Sequence, residues 1–140
     1  TTEGGLDVDR LALRVRRVVD KLRRAGIEAS LFIEPDLRQI KAARDVGAAA
    51  IEIHTGHYAD ARSRGAIHSH LLKIRRAVDE ARRMGLVVNA GHGLDYANVC
   101  GIARLSGIHE LNIGYAIVCH AVFVGLGRAV QQMKTLVTGR

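Results

Sequence analysis

The chain has 140 residues, of which 48% are hydrophobic and 25% charged, and this length and balance are typical of one soluble globular domain. The formal net charge of +7 would suit a nucleic acid, but Arg and Lys recur beside apolar residues at helical spacing, and only three Tyr, two Phe and no Trp could stack on bases. These properties argue against a nucleic-acid partner, and the lack of any apolar run of bilayer length argues against a membrane partner.

Both cysteines, Cys100 and Cys119, stand in apolar segments and form no CxxC pair. The first residues do not resemble a signal peptide either. We therefore expect two buried thiols in a reducing compartment, and a cytoplasmic protein.

The periodicity of the first half predicts helices and strands in alternation. Asp7 and Asp36 are of the type that caps helix N-termini, and Gly26 and Gly47 follow the last periodic residues. The predicted elements are a helix over 7–25, a strand over 28–35, a helix over 36–47 and a strand over 48–56.

The same alternation continues after a linker that contains Ser and Gly. Asp95 is the predicted N-cap of a shorter helix, and Gly125 and Gly127 break the last helical stretch in two. The predicted elements are a helix over 67–85, a strand over 86–93, a helix over 95–107, a strand over 109–114 and helices over 115–122 and 127–137.

Strict alternation of strands and helices predicts an α/β fold with a parallel sheet and right-handed crossovers. The four strand-and-helix units correspond to half of a (β/α)8 TIM barrel, with residues 1–140 as a single domain. An open doubly wound sheet fits the same alternation, but the first glycine-rich turn offers no GxGxxG to support a dinucleotide-binding fold. A half-barrel is the preferred prediction.

Every predicted strand carries polar residues, although a strand covered on both faces should be apolar. Glu52 and His54 share one face of the second strand and lie late in it, where such barrels place catalytic groups. For Glu34 and Glu110, on the first and fourth strands, a purely structural pairing across strands is an equally good explanation. The remaining polar positions are Ser30, Asn89 and Asn112. Together they predict a hydrated, functional lumen.

His92 stands between two glycines, in GHG, directly after the third strand. A second glycine turn, NIG (112–114), ends the fourth strand and precedes a helix. Backbone N–H groups at such turns, with the N-terminus of the following helix, suit an anion such as phosphate.

Two histidine pairs raise the question of a metal site. His54 and His57, and likewise His68 and His70, are close enough in sequence to share an ion, but neither pair has a convincing third and fourth ligand. No metal is therefore expected. No GxSxG motif or Cys–His pairing indicates nucleophilic hydrolysis.

Five segments resemble the pyridoxine 5′-phosphate synthase family, in the same order and at similar spacing over essentially the whole chain. They are TTEGGLDV (1–8), SLFIEPD (30–36), IEIHTGHYADA (51–61), NAGHGLDYANV (89–99) and HELNIGYAIV (109–118). The resemblance implies a (β/α)8 barrel enzyme of vitamin B6 biosynthesis that condenses 1-deoxy-D-xylulose 5-phosphate with 3-amino-2-oxopropyl phosphate and releases phosphate and water. It also implies phosphorylated small-molecule substrates, no cofactor and a homo-oligomeric full-length enzyme.

The resemblance assigns catalytic roles to two residues. His92 matches a histidine that acts as a proton donor, and Glu52 matches a glutamate that stabilises the transition state. In the implied reaction, His92 would protonate a departing oxygen and Glu52 would stabilise positive charge on an iminium-like nitrogen.

The resemblance also implies substrate contacts. Thr1 and Gly93 match substrate-binding residues, and Gly114 with Tyr115 matches a turn that holds a substrate phosphate. Tyr115 replaces the histidine that is usual at that turn, and His120 replaces a usual arginine.

The family's N-terminal half has no counterpart here, because Thr1 matches the end of the family's fourth strand. Residues 1–140 thus correspond to strands five to eight with their helices, and lack a second catalytic histidine, a glutamate and a substrate-binding arginine of the family. We expect the chain alone to bind substrate poorly and not to turn over. The alternative function is a non-catalytic phosphate-binding half-barrel domain.

Overall fold

A computed structural model describes residues 4–139, so Thr1 lies outside the described residues. The elements are α1 (Val8–Arg24), β1 (Ser30–Ile33), α2 (Leu37–Asp45), β2 (Ala50–His54), α3 (Gly56–Ala59), α4 (Arg64–Arg83), β3 (Val87–Gly91), α5 (Val99–Ala103), β4 (Glu110–Asn112), α6 (Tyr115–Val124) and α7 (Leu126–Thr138).

The four strands form one parallel sheet in the order β1–β2–β3–β4, so each strand pairs with its neighbours in the sequence. The register places Ile33, Ile53 and Ala90 at one level, and all three are fully buried. Helices cover this face of the sheet and contribute Val15, Val19, Ile40, Ile74, Val78 and Ala81 to the same core. The predicted α/β fold with an all-parallel sheet is confirmed.

The opposite face of the sheet carries the polar residues. Phe32, Glu52, Asn89 and Glu110 lie at one level across the four strands, and none of them is fully buried. Within residues 4–139 the sheet is therefore covered on one face and open on the other. No helix in this part of the chain has the length and apolar character needed to cross a membrane.

The predicted caps of the first two helices are confirmed. Asp7 accepts a hydrogen bond from the Arg10 N–H, and Asp36 accepts one from the Arg38 N–H. The Gln39 amide and the Arg10 N–H hold the pKa of Asp7 below its usual range, and the Arg38 N–H does the same for the pKa of Asp36.

Three predicted boundaries are wrong. Helix α3 forms inside the predicted linker, and α4 begins at Arg64 because the Ser63 hydroxyl accepts from the Ala66 N–H. Helix α5 is shorter than the predicted span 95–107, and its N-cap is Asn98. The Asp95 carboxylate instead accepts from the Ala97 and Asn98 N–H groups and closes a turn before the helix.

The expectation of two buried thiols is wrong, because neither thiol is fully buried. Cys100 is half-buried, whereas Cys119 is exposed on α6, a helix with no buried residue. Both thiols are free.

Candidate functional site

The carboxyl ends of the strands bring polar groups together on the open face of the sheet. His54, Gly91 and Asn112 lie at one level on β2, β3 and β4. Glu34 follows Ile33, which pairs with Ile53, so its side chain lies beside that of His54. Side-chain alternation along parallel strands therefore produces the predicted cluster at this edge.

Glu52 reaches across β3 to β4. The Asn112 Nδ2 group donates to Glu52 Oε2 at 2.7 Å. The carboxylate can lie there because Gly91 has no side chain: a methyl group at Gly91 would collide with Glu52 Oε1 and lie 2.9 Å from the Asn112 carbonyl oxygen. Gly91 thus allows close packing within the sheet.

His92 occupies a left-handed backbone conformation, with φ of 81°, and it is the one non-glycine residue with positive φ in residues 4–139. Gly93 continues the turn with φ of 73°. A side chain at Gly93 would contact the Cβ of Ala59 at 2.7 Å, so the turn fits closely against α3. Such a conformation costs free energy for a residue with a Cβ atom and is typical of functional turns.

Thr55, directly after the neighbouring strand β2, fixes the His92 turn. Its side chain is fully buried, and its hydroxyl lies 2.7 Å from the Gly91 carbonyl oxygen and 2.6 Å from that of His92, so that its single proton is shared between them. The Thr55 N–H also donates to the Gly91 carbonyl at 2.8 Å. The backbone beneath His92 is thereby fixed in place.

A second histidine supports the first. The His54 ring is 7% exposed, its centroid lies 4.8 Å from that of His92, and its Nδ1 atom is 2.6 Å from Glu34 Oε1. Gly56 packs between the two rings, because a methyl group there would lie 2.5 Å from His54 Nε2 and 3.1 Å from His92 Cδ2. Glu34 is therefore paired with a side chain of the neighbouring strand, which is the structural explanation that the sequence left open for it.

A cavity of about 740 Å³ opens above this edge. Of the six residues to which the resemblance assigns catalytic or substrate-binding roles, five line it: Glu52, His92, Gly93, Gly114 and Tyr115. The sixth, Thr1, lies outside the described residues. The structure therefore brings together residues that are up to 63 positions apart in the sequence.

The N-terminus of α6 faces this cavity through Gly114, Tyr115 and Ala116. Among the described residues no side chain caps α6, and the first N–H groups of a helix have no partner within the helix. A methyl group at Gly114 would meet no atom within 4 Å, so its lack of a side chain leaves free space at the helix end. This is the geometry in which helix N-termini bind anions.

His120 lies away from the cavity. Its Nε2 atom is 2.7 Å from Gln132 Oε1, and its ring packs against that of Tyr96 with centroids 4.7 Å apart. His120, one of the two departures from the family pattern, therefore takes part in the contact between α6 and α7.

Thr55 and Gly56 belong to the site but were not predicted from the sequence. Their roles depend on residues about 36 positions further along the chain, which only the pairing of β2 with β3 brings near. The sequence did contain a signal. HTG (54–56) places a polar residue and a glycine at the end of the second strand, as GHG (91–93) does at the end of the third.

Comparison with known proteins adds two findings. A family profile described as pyridoxal phosphate biosynthesis protein PdxJ matches residues 1–139. A chain in the crystal structure of the Amycolatopsis orientalis BexX/CysO complex is similar in fold, with 18% sequence identity and a TM-score of 0.54, over 92% of this chain and 52% of that one. The chain thus spans about half the length of the solved chain that it matches.

Proposed function

Because the chain belongs to the PdxJ family of pyridoxal phosphate biosynthesis proteins, we propose that it carries one side of the active site of a pyridoxine 5′-phosphate synthase. The reaction condenses 1-deoxy-D-xylulose 5-phosphate with 3-amino-2-oxopropyl phosphate. The observation that carries this proposal is that one cavity is lined by His92, Glu52, Gly93, Gly114 and Tyr115.

The sheet is proposed to be half of a (β/α)8 barrel. A doubly wound sheet reverses its strand order and carries helices on both faces. Here the order runs β1 to β4 without reversal, and the polar face is open. Both features favour a barrel segment whose polar face lines the lumen, with the cavity at the carboxyl ends of the strands.

His92 is proposed as a general acid. The reaction eliminates water and phosphate, and both leaving oxygens require a proton. Imidazole is suited to this near neutral pH. The ring is exposed to the cavity, whereas its backbone is fixed by Thr55, so the ring is positioned and remains accessible to substrate.

Glu52 is proposed to stabilise positive charge on the condensing nitrogen. Its carboxylate is half-buried, and Asn112 orients it with one hydrogen bond. A fixed carboxylate in a partly desolvated site stabilises a developing cation without reorganisation during the reaction.

A substrate phosphate is proposed to bind at the N-terminus of α6. The free space at Gly114 lets an oxyanion approach the backbone N–H groups. Because backbone N–H groups would bind the phosphate, binding does not require the histidine that is usual at position 115, where the Tyr115 side chain is 87% exposed.

The open polar face supports the proposal that further β/α units complete the active site. Among the described residues no further strand pairs with the outer edge of β1 or β4, and the outer edge of β1 accepts one backbone hydrogen bond, from the Leu6 N–H to the Phe32 carbonyl. A barrel requires both edges to be paired with strands. These units would come from a longer polypeptide or by association. Without such units, the chain of residues 1–140 would bind substrate weakly and form no product.

The test combines binding with turnover. We expect calorimetric titration of the chain with 1-deoxy-D-xylulose 5-phosphate to detect weak binding, and a steady-state assay with both substrates to detect no pyridoxine 5′-phosphate. Once barrel-completing units are supplied, turnover should appear, and His92→Asn should lower it by about 10²- to 10⁴-fold.

The control variant is His109→Asn, because His109 is exposed at the opposite end of β4. Turnover by the chain alone would overturn the proposed incompleteness. Full turnover by His92→Asn in the completed barrel would reject the role of His92. Binding without turnover in every completed form would favour the alternative, a non-catalytic phosphate-binding domain.

A cytoplasmic location is part of the same proposal. Cys100 and Cys119 are both free, and Cys119 is exposed. An exposed free thiol persists most readily in a reducing compartment, which supports this location.

A further inference from the structure

Glu34, His54 and His57 form a cluster of ligand-type atoms beside the proposed active site. Each offers one such atom, and these atoms lie within 4.8 Å of one another. His54 ends β2, Glu34 follows β1, and His57 lies in the first turn of α3. The sequence offered the pair His54 and His57 no convincing third and fourth ligand, and in the structure Glu34, directly after β1, lies beside the pair as a third.

The distances within the cluster leave room for an ion after a small adjustment. Ligands at about 2.0–2.1 Å from a tetrahedral zinc ion lie roughly 3.3 Å apart. Glu34 Oε1 is 2.6 Å from His54 Nδ1, and Glu34 Oε2 is 3.8 Å from His57 Nε2. To reach that spacing, the first distance must lengthen and the second shorten by less than about 1 Å, and the two imidazole nitrogens must approach from a separation of at most 4.8 Å.

Burial differs among the three side chains in a way that suits an ion from solvent. The His54 side chain is 7% exposed, so its position is fixed by packing, whereas Glu34 is 32% exposed and His57 is 67% exposed. The fixed ligand provides preorganisation, and the exposed ones leave an entry path and positions for water. Two imidazoles and one carboxylate form the ligand set of zinc sites that keep an open position.

The hydrogen bonding of His54 points to the same group. Glu34 is the one side-chain partner of its ring in the described part of the chain, and Nε2 is buried with no partner. All polar interactions of this buried ring are therefore made at Nδ1, within the cluster.

We propose that Glu34, His54 and His57 bind a divalent transition-metal ion of the zinc type. The ion would replace the proton between His54 Nδ1 and Glu34, and water would complete its coordination. The site goes beyond the proposed synthase function, since none of its three ligands is among the residues assigned to catalysis or substrate binding. It would place two positive charges beside the ring of His92.

The experiment uses the chain without a histidine tag, treated with a chelator and then titrated with Co²⁺, whose visible absorption reports coordination by protein ligands. We expect one ion per chain, with binding that tightens as the pH rises because the histidines must be neutral. Competition by Zn²⁺ should remove the cobalt spectrum.

Three variants distinguish the site from adventitious binding. His57→Ala, at an exposed position, should weaken Co²⁺ binding at least about tenfold, and Glu34→Gln should weaken it similarly. His68→Ala is the matched control, because His68 is exposed on α4 and lies outside the cluster. The affinity of this variant for Co²⁺ should equal that of the unmodified chain.

Absence of stoichiometric binding by the unmodified chain would overturn the proposal. Equal affinities of His57→Ala and His68→Ala would also overturn it. Because the readout is metal binding without substrate, this result does not depend on whether the proposed synthase function holds.

Discussion

His92 combines a titratable ring with a backbone conformation that glycine adopts more readily. The positive φ costs about 1–2 kcal/mol in a residue with a Cβ atom. We expect His92→Gly to be more stable than His92→Ala by about 1 kcal/mol, because both variants lose the ring but only alanine keeps the strained Cβ. Urea unfolding of the two variants measures this difference.

The same pair of substitutions at His68 is the control. His68 lies in the helix α4, where alanine should be more stable than glycine by about 1 kcal/mol. The order of stabilities should therefore reverse between the two positions. An alanine variant that is the more stable one at both positions would show that the His92 turn is not strained.

At the residue scale, the sequence predicted positions better than interactions. Alternation along a strand was sufficient to place Glu52 and His54 on one face. It could not place Thr55 beneath His92 or Asn112 beside Glu52, because these contacts depend on strand register and on a glycine at position 91. The site could thus be predicted as a set of residues and not as a network.

At the scale of elements, the caps explain which boundaries could be predicted. The carboxylates of Asp7 and Asp36 accept hydrogen bonds from N–H groups two or three residues further along the chain, and such local contacts can be predicted from the sequence. Asp95 has the same residue type but closes a turn, with Asn98 as the cap. Sequence alone could not separate these two uses of one side chain.

The cap of α2 leads to a prediction about pH. Because the pKa of Asp36 is lower in the folded chain than in the unfolded one, its carboxylate stabilises the fold at neutral pH, and this contribution is lost as the pH falls through the lowered pKa. We expect Asp36→Ala to lower the free energy of unfolding by about 1 kcal/mol, as measured by urea unfolding at neutral pH.

Asp36→Asn separates the charge from the cap. Asparagine keeps an acceptor for the Arg38 N–H but does not titrate, so this variant should be nearly as stable as the unmodified chain at neutral pH. The difference between the asparagine and alanine variants should persist at about pH 3, whereas the advantage of aspartate over alanine should shrink there. An unchanged advantage at acid pH would contradict this explanation.

At the scale of the whole molecule, α6 and the start of α7 form an exposed apolar surface. Phe123 is 86% exposed, Val122 79% and Leu126 61%, and α6 has no buried residue. A contiguous surface of this kind is typical of an interface. It fits the proposal that further units pack against the chain beyond β4.

This surface should make the chain self-associate when those units are absent. We expect Phe123→Lys to reduce concentration-dependent association in sedimentation velocity, because it places a charge in the apolar surface. Ser106→Lys adds the same charge at an exposed position in the turn after α5 and should leave association unchanged. If both variants reduced association equally, the reduction would result from the added net charge and not from the apolar surface.

The strand order has a consequence for how the chain acquires its structure during synthesis. Each pairing joins strands that are consecutive in the sequence, so no pairing has to wait for a distant segment. The entropy cost of closing each loop is that of a single helical unit. A nascent chain that has emerged as far as Gly91 already contains both partners of the β1–β2 and β2–β3 pairings, and the sheet can therefore grow one strand at a time from the ribosome.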